Sequence, residues 1–512
     1  MKRPIKLVFG LILLLLISCN KEDENVPIVE SKVDDTGIMT VLGKKLENPY
    51  TIENMQKAYS NLKSSGDISG DIDISVTHKY IRFLPGNEDD MEKLIDDTTL
   101  MLFDIPLDYE IIEPGVSYHD PTLPDTSFTW QYCVIEIGQK VPDVYYELIE
   151  DLYIPLEVLD ENLKNVNQMD YDLLDDEALR ITGNLNKLKD ASQVERTKWY
   201  PSGYIKVWDD NRNNFIPIVG LEVIARSWFT TRKGTTNSIG RFICNGTVKG
   251  YVNYSLKWER YHFSIRNGSV GQAKLDGPRL KEKSWNLFIS TGHAKFHATI
   301  FRAASRYYYE YIYGLKRPPL NGATKPQMKI AAVYKEHDPG ARYAHPARVL
   351  GIFNTVKIWD PQLRTSTLFS NVIHELGHGA HWNLNSYSYR KADEIVVESW
   401  AKGVQYNITK LVYPKFSLQY KRLNYTGVVQ DLVDGRPLEK RSSLWWDYSK
   451  NETGSPNIKK VYIDNVTGYT MKQIENALNG ALTWDEWKDK IKKYNNETSQ
   501  NVDATFIYWN TK

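Results

Sequence analysis

The segment from Thr365 to Trp382 reads TSTLFSNVIHELGHGAHW, and its spacing decides how the C-terminal part of the chain folds. Leu368, Val372, Ile373 and Leu376 recur at intervals that place them on one helical stripe, so an amphipathic helix is expected. Asp360-Pro361 or Thr365 supplies its start. His374 and His378 stand four residues apart, about one turn, so both imidazoles can reach a single Zn2+ at about 2.0–2.1 Å. Glu375 lies roughly 100° round the helix, where its carboxylate faces water at the metal without binding the ion. With ten histidines in 512 residues, a chance His-Glu-x-x-His has a probability of only ~1% by composition.

The pair needs a third ligand. His381 shares the face, but at a rise of 1.5 Å per residue it lies about 10 Å along the axis from His374, so the three cannot converge. It is expected behind the ligands or lining the cleft. Glu394 and Glu398 follow on the helical stretch Ala392 to Ala401. Glu398 sits among Val396, Val397 and Trp400, where an unpartnered carboxylate is costly and a cation would offset the cost. Glu394 stands near the polar start of that helix, where acidic residues suit the dipole. Glu398 is therefore the expected third ligand, and Glu394 the reserve.

His374-Glu375-x-x-His378 with a glutamate 20 residues on resembles the gluzincin metallopeptidases. The Glu-Gly-Phe-Ala setting of the single-zinc aminopeptidases is approximated by Glu398-Ser399-Trp400-Ala401. Metzincins are excluded, because they need glycine where His381 stands and histidine where Leu384 stands. Two departures mark the chain. Thermolysin-like enzymes carry an aspartate at the position of Lys402, and the Gly-x-Met-Glu-Asn strand of aminopeptidases is missing from Val349–Trp359. The resemblance thus implies an endopeptidase rather than an exopeptidase, with one Zn2+ per chain held by His374, His378 and Glu398. Glu375 would act as general base, and Val349–Trp359 as the edge strand that binds extended substrate. The histidine that stabilises the oxyanion in thermolysin-like enzymes has no counterpart after His381. Tyr387, Tyr389 and Tyr425 are the candidates to replace it.

Composition narrows the other possibilities. Lys+Arg and Asp+Glu balance at 64 each, which argues against a nucleic-acid partner. Three cysteines, Cys19, Cys133 and Cys244, cannot build a disulfide framework or a thiolate zinc site. Residues 1–18 carry Lys2, Arg3 and Lys6 before a short apolar run, the pattern of a secretory signal. Leu16-Ile17-Ser18-Cys19 resembles a bacterial lipobox, implying lipidation at Cys19. Asn20–Glu24 resembles the acidic tag of lipoproteins exported to the surface of some Gram-negative bacteria. The expected location is the outer membrane, facing outward, with residues 19–45 as a flexible tether.

Further along, Thr51–Leu62 has helical spacing, His78–Leu84 and Trp130–Ile137 read as strands, and Asp143–Leu152 reads as a short helix. Residues 159–197 read as a connector, helical around Asp175–Leu188. Short strands divided by turns over 198–266 suggest a β-sandwich. Pro217-x-x-Gly220-x-x-Val223 and Gly240-x-Phe242 resemble the carboxypeptidase-regulatory-like domain, implying a structural or docking module. Beyond it, His293–Leu315 reads as a long helix and Lys329–Tyr334 as a strand. The fold class expected is multidomain α+β: an α/β module over 46–158, the sandwich over 198–266, and a zincin-like metallopeptidase domain over 284–512. The partners expected are a protein or peptide substrate and a membrane reached through the lipid at Cys19. The competing expectation is a decayed zincin scaffold that binds protein or glycan at the cell surface, the glycan variant resting on 14 Trp and 33 Tyr.

Overall fold

Ser202–Asp209 alternates buried and half-buried residues along its whole length, as a strand does with one face on a core. In the computed structural model it lies inside a five-stranded sheet ordered Ile28–Val33, Ser284–Ile289, Ser202–Asp209, Arg241–Ile243, with Asn214–Pro217 also paired to Ser202–Asp209. The structure describes residues 28–33, 39–155, 168–184, 198–268, 271–320, 327–334, 340–343, 356–359, 362–418, 424–434, 447–450, 456–457, 466–494 and 498–510. A four-stranded antiparallel sheet, ordered Thr230–Thr235, Glu222–Ser227, Tyr251–Lys257, Lys274–Lys281, belongs to the same apolar core. Ile205, Val207 and Leu287 of the first sheet and Val223, Val252 and Leu256 of the second are buried in it.

The sandwich is larger than the sequence suggested. Ser284–Ile289, expected to open the C-terminal region, pairs in parallel with Ser202–Asp209. Ile28–Val33 pairs in parallel with Ser284–Ile289, so part of the expected flexible tether is a strand. Neither pairing is visible locally, because each partner lies far away in sequence. The expected signal segment and Cys19 lie outside the described residues. No helix among the described residues is long and apolar enough to cross a membrane.

The N-terminal region combines helices and antiparallel strands. Ile52–Ser65, capped by Thr51, buries Met55, Ala58 and Leu62 against Leu174 and Ala178 of the helix Gln168–Ile181. That helix was expected later, at Asp175–Leu188, and as a connector. It ends instead where Gly183 takes φ +70°, a conformation glycine adopts without strain, and it packs into this module. A three-stranded sheet is ordered Gln131–Glu136, His78–Phe83, Tyr146–Leu152. Tyr146–Leu152 replaces the helix expected over Asp143–Leu152. It pairs antiparallel with all of His78–Phe83, with one register shift between Tyr80 and Ile81, and this ladder outweighs a weak helical spacing.

The C-terminal sheet is ordered Glu259–Arg260, Phe263–Asn267, Met328–Val333, Val356–Trp359, Gly340–Tyr343, with Gly271–Gln272 also paired to Phe263–Asn267. Phe263–Asn267, Met328–Val333 and Val356–Trp359 run parallel, and Gly340–Tyr343 lies antiparallel at the edge. This corrects the expected edge strand, since Val356–Trp359 is internal and residues 344–355 lie outside the described residues. Three helices pack here: Gly292–Tyr309, the motif helix Thr365–Leu384 and the glutamate helix Glu394–Val412. One continuous apolar cluster runs from the sandwich into these helices.

A single hairpin of the sandwich grips both site helices. Asp210 Oδ2 accepts from the Thr365 amide (3.1 Å) and hydroxyl (2.8 Å), and Asn211 Oδ1 accepts from the Ser366 amide (2.9 Å). The first amides of the motif helix, which have no partner within the helix, are thereby satisfied from another sheet. Two residues on, Arg212 Nη2 donates to the Val412 carbonyl at the end of the glutamate helix (3.0 Å), where a cation suits the dipole. Asp209, fully buried, accepts from the Tyr413 hydroxyl (2.8 Å) and stands 3.6 Å from Arg302. Burial alone would raise the Asp210 carboxyl, but hydrogen bonds from Lys295 and Thr365 outweigh it and hold its pKa low. A group with a lowered folded pKa stabilises above its unfolded value and loses that contribution as pH falls through the folded one. Asp210→Ala is therefore expected to cost about 1–2 kcal/mol near neutral pH. The gap in melting temperature between variant and wild type should shrink below roughly pH 4, and thermal unfolding across pH checks both.

Candidate metal centre

The motif helix and the glutamate helix cross closely because Gly377 carries no side chain. A Cβ there would stand 3.3 Å from Val404 Cβ and 3.5 Å from Ala401 Cα. This approach brings the expected ligands together. His374 Nε2 lies 3.2 Å from Glu398 Oε2, His378 Nε2 lies 3.4 Å from the same oxygen, and the two Nε2 atoms are 3.2 Å apart. Ligands about 2.0–2.1 Å from a tetrahedral zinc ion stand about 3.3 Å from one another, so the three separations outline one face of such a site. Among the described residues this is the sole group of three or more His, Cys, Asp or Glu that could hold a metal ion. Two neutral imidazoles and one carboxylate form a donor set suited to zinc.

Packing orients the rings. His374 and His378 are perpendicular at 4.7 Å between centroids, Tyr343 stacks on His378 at 6.5 Å, and Tyr389 meets His378 edge-on at 6.1 Å. Neither Nδ1 atom has a hydrogen-bond partner among the described residues. Burial pulls His374 down to about 4. It would lower His378 too, but the hydrogen bond and charge of Glu398, with Glu375, outweigh it and raise that pKa. For Glu398, burial pushes upward, and the hydrogen bonds from both histidines more than reverse this to hold the carboxyl ionised. Glu375 is different. Burial dominates and raises it to about 7, against the opposing pull of His378 and a backbone hydrogen bond from Tyr343.

A cavity of about 350 Å³ opens over these groups, lined by His374, Glu375, His378, Glu398, Ala341, Tyr343, Tyr389, Asn371, Lys402, Gln405 and Tyr425. The expected residues sort clearly. Tyr389 and Tyr425 line the cavity. Tyr387 is 62% exposed and does not. His381 is 1% exposed, does not line the cavity either, and packs edge-on against Tyr389 at 5.1 Å. Glu394 is exposed in the first turn of its helix and takes no part in the ligand group. Sequence reasoning missed Tyr343, Asn371 and Gln405. Asn371 and Gln405 had a usable signal, since each lies on the ligand stripe of its helix, three residues before His374 and seven after Glu398. Tyr343 had none, because only sheet pairing brings it over the motif helix.

Cys133 and Cys244 are both buried and free. The chain matches no protein-family model, no curated protein and no solved structure.

Protein purified without chelators is expected to carry one zinc per chain by elemental analysis. Glu398→Ala should lower zinc affinity beyond the roughly 10–100-fold that losing a ligand's hydrogen-bond partner costs. Glu394→Ala should leave affinity unchanged, and equal losses in both variants would sink the ligand assignment.

Proposed function

We propose that this protein is a zinc-dependent peptidase with a zincin-like C-terminal domain, acting as an endopeptidase on extracellular proteins or peptides. The reading also takes it to be a lipoprotein, anchored through Cys19 at the outer surface of a Gram-negative bacterium. The observation that carries the activity is the convergence of His374, His378 and Glu398 beside a buried Glu375 in one cavity.

His374 Nε2, His378 Nε2 and Glu398 Oε2 would hold the ion. When bound, zinc supplies a Lewis acid that polarises the scissile carbonyl and acidifies water. Glu375 takes the proton of the attacking water at its carboxylate and passes it to the leaving nitrogen. Burial raises this carboxyl above the ordinary carboxylate value, which makes it a stronger base for that proton. Tyr389 is suited to donate to the developing oxyanion. Burial holds its phenol well above the ordinary value, so the hydroxyl stays protonated. Gly340–Tyr343 lies at the edge of its sheet and places Ala341 and Tyr343 on the cavity, an arrangement that suits extended peptide added as a further strand.

A proteome-derived peptide library should be cleaved by the zinc-loaded protein, and cleavage should stop with a chelator. Glu375→Gln should reduce kcat by about 10²–10⁴-fold while keeping its zinc. A variant that cleaves as fast as wild type would refute the mechanism. Because the base must be ionised, kcat/KM should fall as pH drops. A cation on the ligands holds Glu375 below its metal-free value, so this acid limb should lie under pH 7, as a pH–rate profile will report.

A further inference from the structure

The cavity has a chemically distinct end. Asn371 lies one turn before His374, and Lys402 and Gln405 lie one and two turns beyond Glu398. Gln405 Nε2 donates to Ser370 Oγ (3.1 Å) and reaches Asn371 Oδ1 (3.4 Å), which ties the two helices together at this end. Gln405 is only 3% exposed, and its Oε1 has no hydrogen-bond partner among the described residues. A buried acceptor without a partner costs about 1–3 kcal/mol. A donor arriving with a ligand would offset that cost.

Charge points the same way. Lys402 is the one cationic side chain among the described residues lining the cavity, and its ammonium lies 5.6 Å from the centre of the Tyr425 ring. With a divalent ion on the ligands, Glu375 and Glu398 no longer balance the site. Two carboxylates against the ion and one ammonium leave it one charge positive. The lining residues are buried or half-buried, which strengthens charge interactions relative to bulk water, so the cavity favours a substrate that brings one negative charge.

We propose that Lys402 and Gln405 form a specificity subsite for a carboxylate-bearing residue next to the scissile bond. Lys402 pairs with the carboxylate, and Gln405 Oε1 accepts an N–H of the same residue. The inference rests on the peptidase reading for the identity of the substrate. The carboxylate has two sources, a peptide C-terminus or an acidic side chain, and the first would turn the enzyme from endopeptidase to carboxypeptidase.

The test uses zinc-loaded Glu375→Gln protein and calorimetric binding of uncleaved probes. Acetyl-tetra-alanine as the free acid is compared with its amide, and an amidated peptide containing one glutamate with the same peptide containing glutamine. One acidic probe should bind about tenfold tighter than its neutral partner, the scale of one hydrogen bond to a charged group. The pair that shows the preference identifies the source. Adding Lys402→Met should reduce the preference below about twofold, whereas adding Lys402→Arg should keep most of it. Gln405→Leu should weaken both members of the preferred pair alike. The proposal is overturned if neither pair differs. It is equally overturned if the preference survives Lys402→Met at unchanged zinc content, since the ion alone then selects the carboxylate. Hydrolysis by the unsubstituted protein is read in parallel. A carboxylate preference without hydrolysis overturns the peptidase reading and leaves the subsite standing, while hydrolysis without a preference does the reverse.

Discussion

The site depends on six residues that do not belong to it. The hairpin Asp209–Asn214 caps the start of the motif helix through Asp210 and Asn211, and holds the end of the glutamate helix through Arg212. The two helices carry His374, His378 and Glu398, so the spacing of this cluster is set partly by one turn of a neighbouring β-sheet. The turn is itself over-determined. Asn211 and Arg212 amides donate to Asp209 Oδ1, and Asn213 takes φ +49°, a left-handed conformation that asparagine tolerates better than most residues. A ligand set that must stay within a few tenths of an ångström needs support of this kind, because a helix fixed only by apolar contacts can slide along its partner.

The N-terminal module is attached by desolvated charge. Lys274 pairs with Asp104 and Asp276, Asp276 accepts from Thr40, and Arg226 donates to the Leu107 carbonyl, all with little exposure. Lys329 of the C-terminal sheet is buried against Glu92. Such pairs add little net stability compared with apolar packing, but breaking one partner leaves a buried charge alone, so they penalise wrong docking strongly.

Local pattern carried the reading where one segment holds all the information. The motif helix, Ile52–Ser65, His78–Phe83 and Gln131–Glu136 each declare themselves by their own spacing. The position of Glu398 beside the two histidines was legible because its neighbours in sequence are apolar, which made an unpaired carboxylate implausible. What stayed hidden depends on partners far away in sequence. Asp210 and Thr365 are 155 residues apart, Ile28–Val33 finds its partner at Ser284–Ile289, and Tyr146–Leu152 becomes a strand only because His78–Phe83 offers it a ladder. The hairpin itself reads in sequence as an ordinary Asp/Asn turn, and nothing local distinguishes a turn that caps a distant helix from one that faces water.

The parallel strand Ile28–Val33 also sets a length. If Cys19 bears a lipid, only eight residues lie between it and a strand locked into the sandwich, and a chain that short spans at most ~30 Å fully stretched. That is less than the thickness of a bilayer with its headgroups. The sandwich would then ride against the membrane rather than drift above it, and the cavity beside His374 and His378 would sweep a thin layer close to the cell. Proteins caught or anchored at the surface would meet it far more often than those diffusing past.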